Sequence, residues 1–125
     1  MKTIPKATLI LFIVFWSINT YAQNFYLKVR FYENSCTEER VYCDFETQLN
    51  WSLNSNMATL YYGTNKRAVE SFKIIEVEYD YDNDYYTYTF YDRKRDRYGI
   101  IIYFRPRRYL SMQYVNQRCS LDYIF

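Results

Sequence analysis

The chain has no histidine, only two glycines and two prolines, and three cysteines in 125 residues. Without histidine there are no Ser-His or Cys-His nucleophile pairs and no imidazole metal sites. With Gly63 and Gly99 as its only glycines, it has no glycine-rich loop to cradle a phosphate. Paired carboxylates are the remaining catalytic resource, because 14 acids are present, but nothing in the sequence sets two of them across a cleft. The chain therefore reads as non-enzymatic, with no cofactor and no metal. Asp80, Asp82 and Asp84 repeat the alternate-acid spacing of a calcium loop. The sixth position is Tyr85 and the twelfth Tyr91, where such a loop needs Gly and Glu, so the stretch reads as a solvated hairpin turn.

Residues 1–22 have the layout of a secretory signal peptide. Lys2 and Lys6 precede an apolar run from Ala7 to Ile18, and Thr20-Tyr21-Ala22 offers small residues at the two positions a signal peptidase reads. The run is too short for a membrane span, which needs about 20 apolar residues. Cleavage is expected after Ala22, leaving a single domain over 23–125 in a secreted or periplasmic location, with no membrane span after cleavage. Losing Lys2 and Lys6 takes the basic count from 16 to 14 against 14 acids. The net charge of the remainder is zero, which removes the electrostatic support for nucleic-acid binding.

In an oxidising compartment, Cys36, Cys43 and Cys119 predict one disulfide and one leftover thiol. Spacing favours Cys36 with Cys43, a short loop whose closure stabilises by ~2.5 kcal/mol. Cys43 with Cys119 is the rival, because both lie on the apolar phase of their strands. The remaining thiol reads as a small buried hydrophobe.

Apolar residues recur at period two along almost the whole remainder, the mark of half-buried strands. Phe25, Leu27, Val29 and Phe31 share one face of a first strand. Val41, Cys43, Phe45, Leu49, Trp51 and Leu53 share one face of a second. Met57 to Tyr62 is short, and Gly63 follows, placed for a positive φ. Between Val69 and Tyr81 the apolar phase slips from Phe72 and Ile74 to Ile75, Val77 and Tyr79, which predicts a β-bulge at Ile74 and Ile75. Tyr85–Tyr91, Gly99–Phe104, Tyr109–Val115 and Cys119–Phe125 complete the set, separated by polar turns. The expectation is an all-β, antiparallel up-and-down meander of about eight strands, small and barrel-like, with a two-layer β-sandwich as the alternative.

The order ATLYYG, SFKIIE, YTYTFYD, YGIIIYF and LSMQYV, across Ala58 to Val115, resembles small secreted all-β proteins of unknown function from Gram-negative bacteria. Members often carry a cysteine just after the glycine matching Gly99, where this chain has Ile100 to Ile102. The resemblance implies a fold type and a secreted location, and no catalytic residue.

Two features remain as binding candidates. In a meander, alternate turns fall at one end. The loops at 34–40, 63–68, 92–97 and 116–118 should therefore gather there, carrying eight basic residues (Arg40, Lys66, Arg67, Arg93, Lys94, Arg95, Arg97, Arg118) against Glu38, Glu39, Asp92 and Asp96, a net +4. Arg93, Lys94, Arg95 and Arg97 form the densest cluster and suit an anionic surface. Tyr85, Thr87, Thr89 and Tyr91 form one strand face whose tyrosines join a flat apolar ring to a polar tip, as protein and glycan partners require. The leading reading is a secreted or periplasmic binding module that uses that face or the basic end. A small barrel carrying an apolar ligand is one alternative, and a carboxylate-based hydrolase another.

Overall fold

The computed structural model describes residues 23–44, 47–63 and 67–125. Residues 1–22, where a signal peptide is expected, lie outside them, as do Phe45 and Lys66. Ten strands run β1 Phe25–Lys28, β2 Phe31–Asn34, β3 Arg40–Tyr42, β4 Leu49–Leu53, β5 Met57–Tyr62, β6 Arg67–Asp80, β7 Tyr85–Asp92, β8 Arg97–Phe104, β9 Tyr109–Tyr114 and β10 Leu121–Ile124. All pair antiparallel in one strongly curled, half-barrel sheet of order β1-β4-β5-β6-β7-β8-β9-β10-β2-β3. From β4 to β10 the path is the expected meander.

The count is ten rather than eight because two expected strands are broken. In the first, the chain changes partners: the Val29 N–H bonds to the Leu49 carbonyl and the Arg30 N–H to the Ile124 carbonyl. β1 thus pairs with β4 and β2 with β10, so one segment links the two flanks of the curl. The switch also inverts the face. Phe25, Leu27 and Val29 point inward, but Phe31 turns outward onto Tyr42 at 5.4 Å, and Tyr32 packs inward on Tyr123 at 5.5 Å. In the second, β3 ends at Tyr42 and β4 begins at Leu49. Cys43 is held by its N–H on the Arg30 carbonyl, and Asp44 and Thr47 bond each other, with Thr47 N–H and Oγ1 donating to Asp44 Oδ1 at 2.9 Å.

The disulfide also differs from expectation. Cys36 is bonded to Cys119, with Cα atoms 5.4 Å apart, and Cys43 is the free thiol. The β2–β10 pairing sets this: Asn34 lies opposite Leu121 and the Ser35 N–H reaches the Ser120 carbonyl, bringing the two following cysteines together. Cys43 packs half-buried against the core, the role expected of the leftover thiol.

The core lies on the concave face. Trp51, Leu53, Phe72, Phe90, Ile101 and Leu110 are fully buried, and Phe72 contacts Phe90 at 4.6 Å and Trp51 at 6.3 Å. Each such aromatic contributes about 3–5 kcal/mol by the cost of truncating it to alanine. The bulge is where the parity slip puts it, with a register shift between Ile74 and Glu76 against β7 and Ile75 thrown outward. A second shift lies at Leu60/Tyr61. Extra residues in β6 bend this longest strand, as a curled sheet requires.

Three successive turns, 81–84, 93–96 and 105–108, each end in a residue with positive φ: Asp84, Asp96 and Arg108. Gly63 does not take the positive φ expected of it. Neither glycine does. Gly99 is required for room instead, since a Cβ there would sit on the Phe90 ring.

Candidate functional site

The expected tyrosine face exists on the convex side. Tyr85, Thr87, Thr89 and Tyr91 are half-buried because neighbours on their own sheet flank them. Tyr85 meets Phe104 at 5.0 Å, Tyr91 meets Tyr98 at 5.0 Å, and Phe104 meets Tyr109 at 5.7 Å. The register continues this row through Ile124, Phe31 and Tyr42, where Arg40 stacks over the Phe31 ring at 4.4 Å. No outward residue of β7, β8 (Tyr98, Ile100, Ile102, Phe104) or β9 (Tyr109, Ser111, Gln113) is charged. Glu76, Glu78 and Asp80 line one side of this face. Tyr98 is 55% and Ile100 40% exposed.

The turn loops gather as the meander predicts. Cys36 in the 34–40 loop is bonded to Cys119, the residue that follows 116–118, and Arg95 ties 92–97 to Glu70 near the start of β6. The basic cluster divides into engaged and free residues. Arg95 grips Glu70 with both guanidinium ends, at 2.6 and 2.8 Å, and Asp92 at 2.8 Å. Those bonds hold its charge firmly, and its pKa moves further up. Arg97 leans over the Tyr114 ring at 5.9 Å. Arg93 and Lys94 are exposed and make no ion pair among the described residues.

Asp92 organises this end. It is 1% exposed, and its carboxylate accepts from the Tyr114 hydroxyl at 2.7 Å, from Arg95, and from the backbone N–H groups of Lys94 and Arg95. Burial pushes its carboxyl up, but the hydrogen bonds from Tyr114 and Arg95 outweigh this and hold it below the usual range. Glu70 and Asp92 do converge, as a carboxylate-based hydrolase requires, but on a guanidinium that binds both. Asp80 and Asp84 are likewise engaged within their own turn. Asp80 accepts from the N–H groups of Asp82 and Asn83, and Asp84 from the Tyr79 hydroxyl at 2.8 Å. Among the described residues no group of three acids and cysteines is placed to hold a metal ion.

Next to this latch the concave side opens into a cleft of about 300 Å³, the space of roughly ten waters. Its walls are Leu49, Trp51, Leu60, Phe72, Met112 and Leu121, with Val69, Glu70 and Arg95 on one flank and the phenols of Tyr32, Tyr62, Tyr114 and Tyr123 among the apolar groups. Tyr123 is 4% exposed. Its ring stands edge-on to Trp51 at 5.4 Å, and its hydroxyl makes no hydrogen bond among the described residues. Burial, together with the nearby Tyr32, Glu70 and Cys43, pushes this phenol's pKa up, so it stays a donor. Burial does the same for Tyr32. The Trp51 N–H is sealed in the wall without a partner. An apolar cavity with a few convergent polar groups is the usual form of a small-molecule site.

The sequence reading did not find this site. Its signal is the set of tyrosines at inward positions of neighbouring strands, Tyr32 paired with Tyr123 on β2 and β10 and Tyr114 at the end of β9. No family model, curated protein or solved structure matches the chain, so the site is read from its own chemistry.

Proposed function

We propose that the chain is a binding module of a secreted or periplasmic compartment that carries a small, largely apolar ligand in the cleft of its half-barrel. The observation that supports this is the cleft: the half-barrel leaves about 300 Å³ open on its concave side, lined in part by Tyr123, whose hydroxyl has no protein partner among the described residues. The Cys36–Cys119 disulfide fits an oxidising compartment. A neutral dye such as 1-aminoanthracene should bind saturably, one per chain, with enhanced emission. Val69→Phe, which enlarges a half-exposed residue of the wall, should abolish that binding while the fold persists by circular dichroism. Absence of saturable binding, or equal binding by the variant, would rule the reading out.

The uncharged outer face of β7–β9 favours a second reading, in which a protein or neutral glycan docks across Tyr85, Tyr91, Tyr98 and Ile100. Retardation of the protein in a gel cast with a neutral polysaccharide, lost on Ile100→Lys, would support the glycan form. At the basic end Arg95 is held by Glu70 and Asp92 and Arg97 leans over Tyr114, while Arg93 and Lys94 of that cluster are exposed.

A further inference from the structure

We infer that the cleft's ligand is a neutral amphiphile whose buried end carries an uncharged oxygen acceptor, a ketone or ester, that takes a hydrogen bond from the Tyr123 hydroxyl. This rests on reading the cleft as a ligand site and adds the chemical class of the guest.

Three observations converge on it. First, Tyr123 is fixed: its ring is held between Trp51 at 5.4 Å and Tyr32 at 5.5 Å, which sets where its hydroxyl lies on the cleft wall. That hydroxyl has no protein partner among the described residues, and the sealed polar atoms without a partner comprise the Trp51 N–H alone, so the Tyr123 oxygen faces the cleft, where water or a guest is its partner. A guest oxygen supplies an acceptor there.

Second, among the described residues the cleft offers no free positive charge. Its one wall cation, Arg95, is taken by Glu70 and Asp92, and together these three groups sum to a net −1. A carboxylate or phosphate entering here would give up its hydration without gaining a counter-ion, which is strongly unfavourable.

Third, the remaining polar atoms on the wall are phenols, which are neutral and able to donate. Tyr114 is engaged on Asp92, leaving Tyr123, Tyr32 and the more exposed Tyr62 as the hydroxyls without protein partners among the described residues; of these Tyr123 is the buried one. The space of roughly ten waters suits a chain of about eight carbons with one polar end.

The test is displacement of bound 1-aminoanthracene by octan-2-one and by octanoate at neutral pH, in the wild type and in Tyr123→Phe, which keeps the ring and removes only the oxygen. The ketone should displace the dye at a concentration at least about tenfold lower than the carboxylate. In Tyr123→Phe the ketone's own dissociation constant, corrected for the dye affinity measured in each protein, should weaken by about fivefold, the scale of one neutral hydrogen bond, while that of octane, which offers no acceptor, should not. Equal potency of ketone and carboxylate, or a ketone affinity indifferent to Tyr123→Phe, would overturn the inference and leave the cleft itself standing. A dye that does not bind the wild type would overturn both readings.

Discussion

Replacing Cys36 and Cys119 together with alanine removes a cross-link that closes 83 residues of chain. Loop-closure entropy for that length gives about 4.5 kcal/mol of stabilisation, nearly twice the ~2.5 kcal/mol that a Cys36–Cys43 link would supply. A domain of this size has a total margin of about 5–15 kcal/mol, so the double variant should lose a large part of it. Urea unfolding followed by circular dichroism measures the difference. The expected result is a midpoint shift equivalent to about 3–5 kcal/mol, matched by adding a reductant to the wild type, whereas Cys43→Ala alone shifts it by less than about 1.5 kcal/mol. A loss under about 1 kcal/mol, or a Cys36–Cys43 peptide in a non-reducing digest, would refute the reasoning.

Gly99→Ala should drive the buried Phe90 ring from its place and cost about 1–3 kcal/mol in the same denaturation experiment. Tyr114→Phe and Tyr123→Phe form a contrasting pair. The first breaks a charge-assisted bond to buried Asp92 and should cost about 1.5–3 kcal/mol. The second removes a hydroxyl with no partner and should be neutral or slightly stabilising. Asp80, through the backbone N–H of Asn83, and Asp92, through Tyr114 and Arg95 against the upward push of burial, both have carboxyl pKa values below the usual range. A carboxyl whose folded pKa is depressed contributes its stability above the unfolded value and loses it as pH falls through the folded one. The urea midpoint should therefore be level from about pH 5 to 8 and fall below about pH 4, with a shallower fall in Asp92→Asn. Arg108→Gly should gain up to about 1 kcal/mol, because an L-residue there pays for its positive φ.

The parts of this fold that local pattern controls could be read directly. The β7–β8 hairpin alternates along its whole length, and the bulge shows as a parity slip at Ile74 and Ile75. The recurring order Tyr79-Asp80 to Asp84 and Tyr91-Asp92 to Asp96 marks two equivalent turns, each with its tyrosine hydroxyl bonded to the last aspartate. What local pattern does not control was hidden. Phe31 continues the alternation of Phe25, Leu27 and Val29, so nothing nearby announces that the chain leaves β4 for β10. The register is set by carbonyls at Leu49 and Ile124. The disulfide depends on that same switch, and the neutralisation of Arg95 depends on Glu70, distant in sequence. The cleft was hidden for a related reason: inward tyrosines look like ordinary core until the curl shows where the packing stops.

The most direct test of a ligand held inside the half-barrel is a nitrogen-15 NMR titration of the labelled protein with octan-2-one. The account predicts saturable shifts of the Trp51 indole N–H and of the backbone at Leu60, Phe72, Met112 and Tyr123 on the concave side. Shifts confined to Thr87, Thr89, Ile100 and Gln113 on the convex side, or no shifts at all, would contradict it.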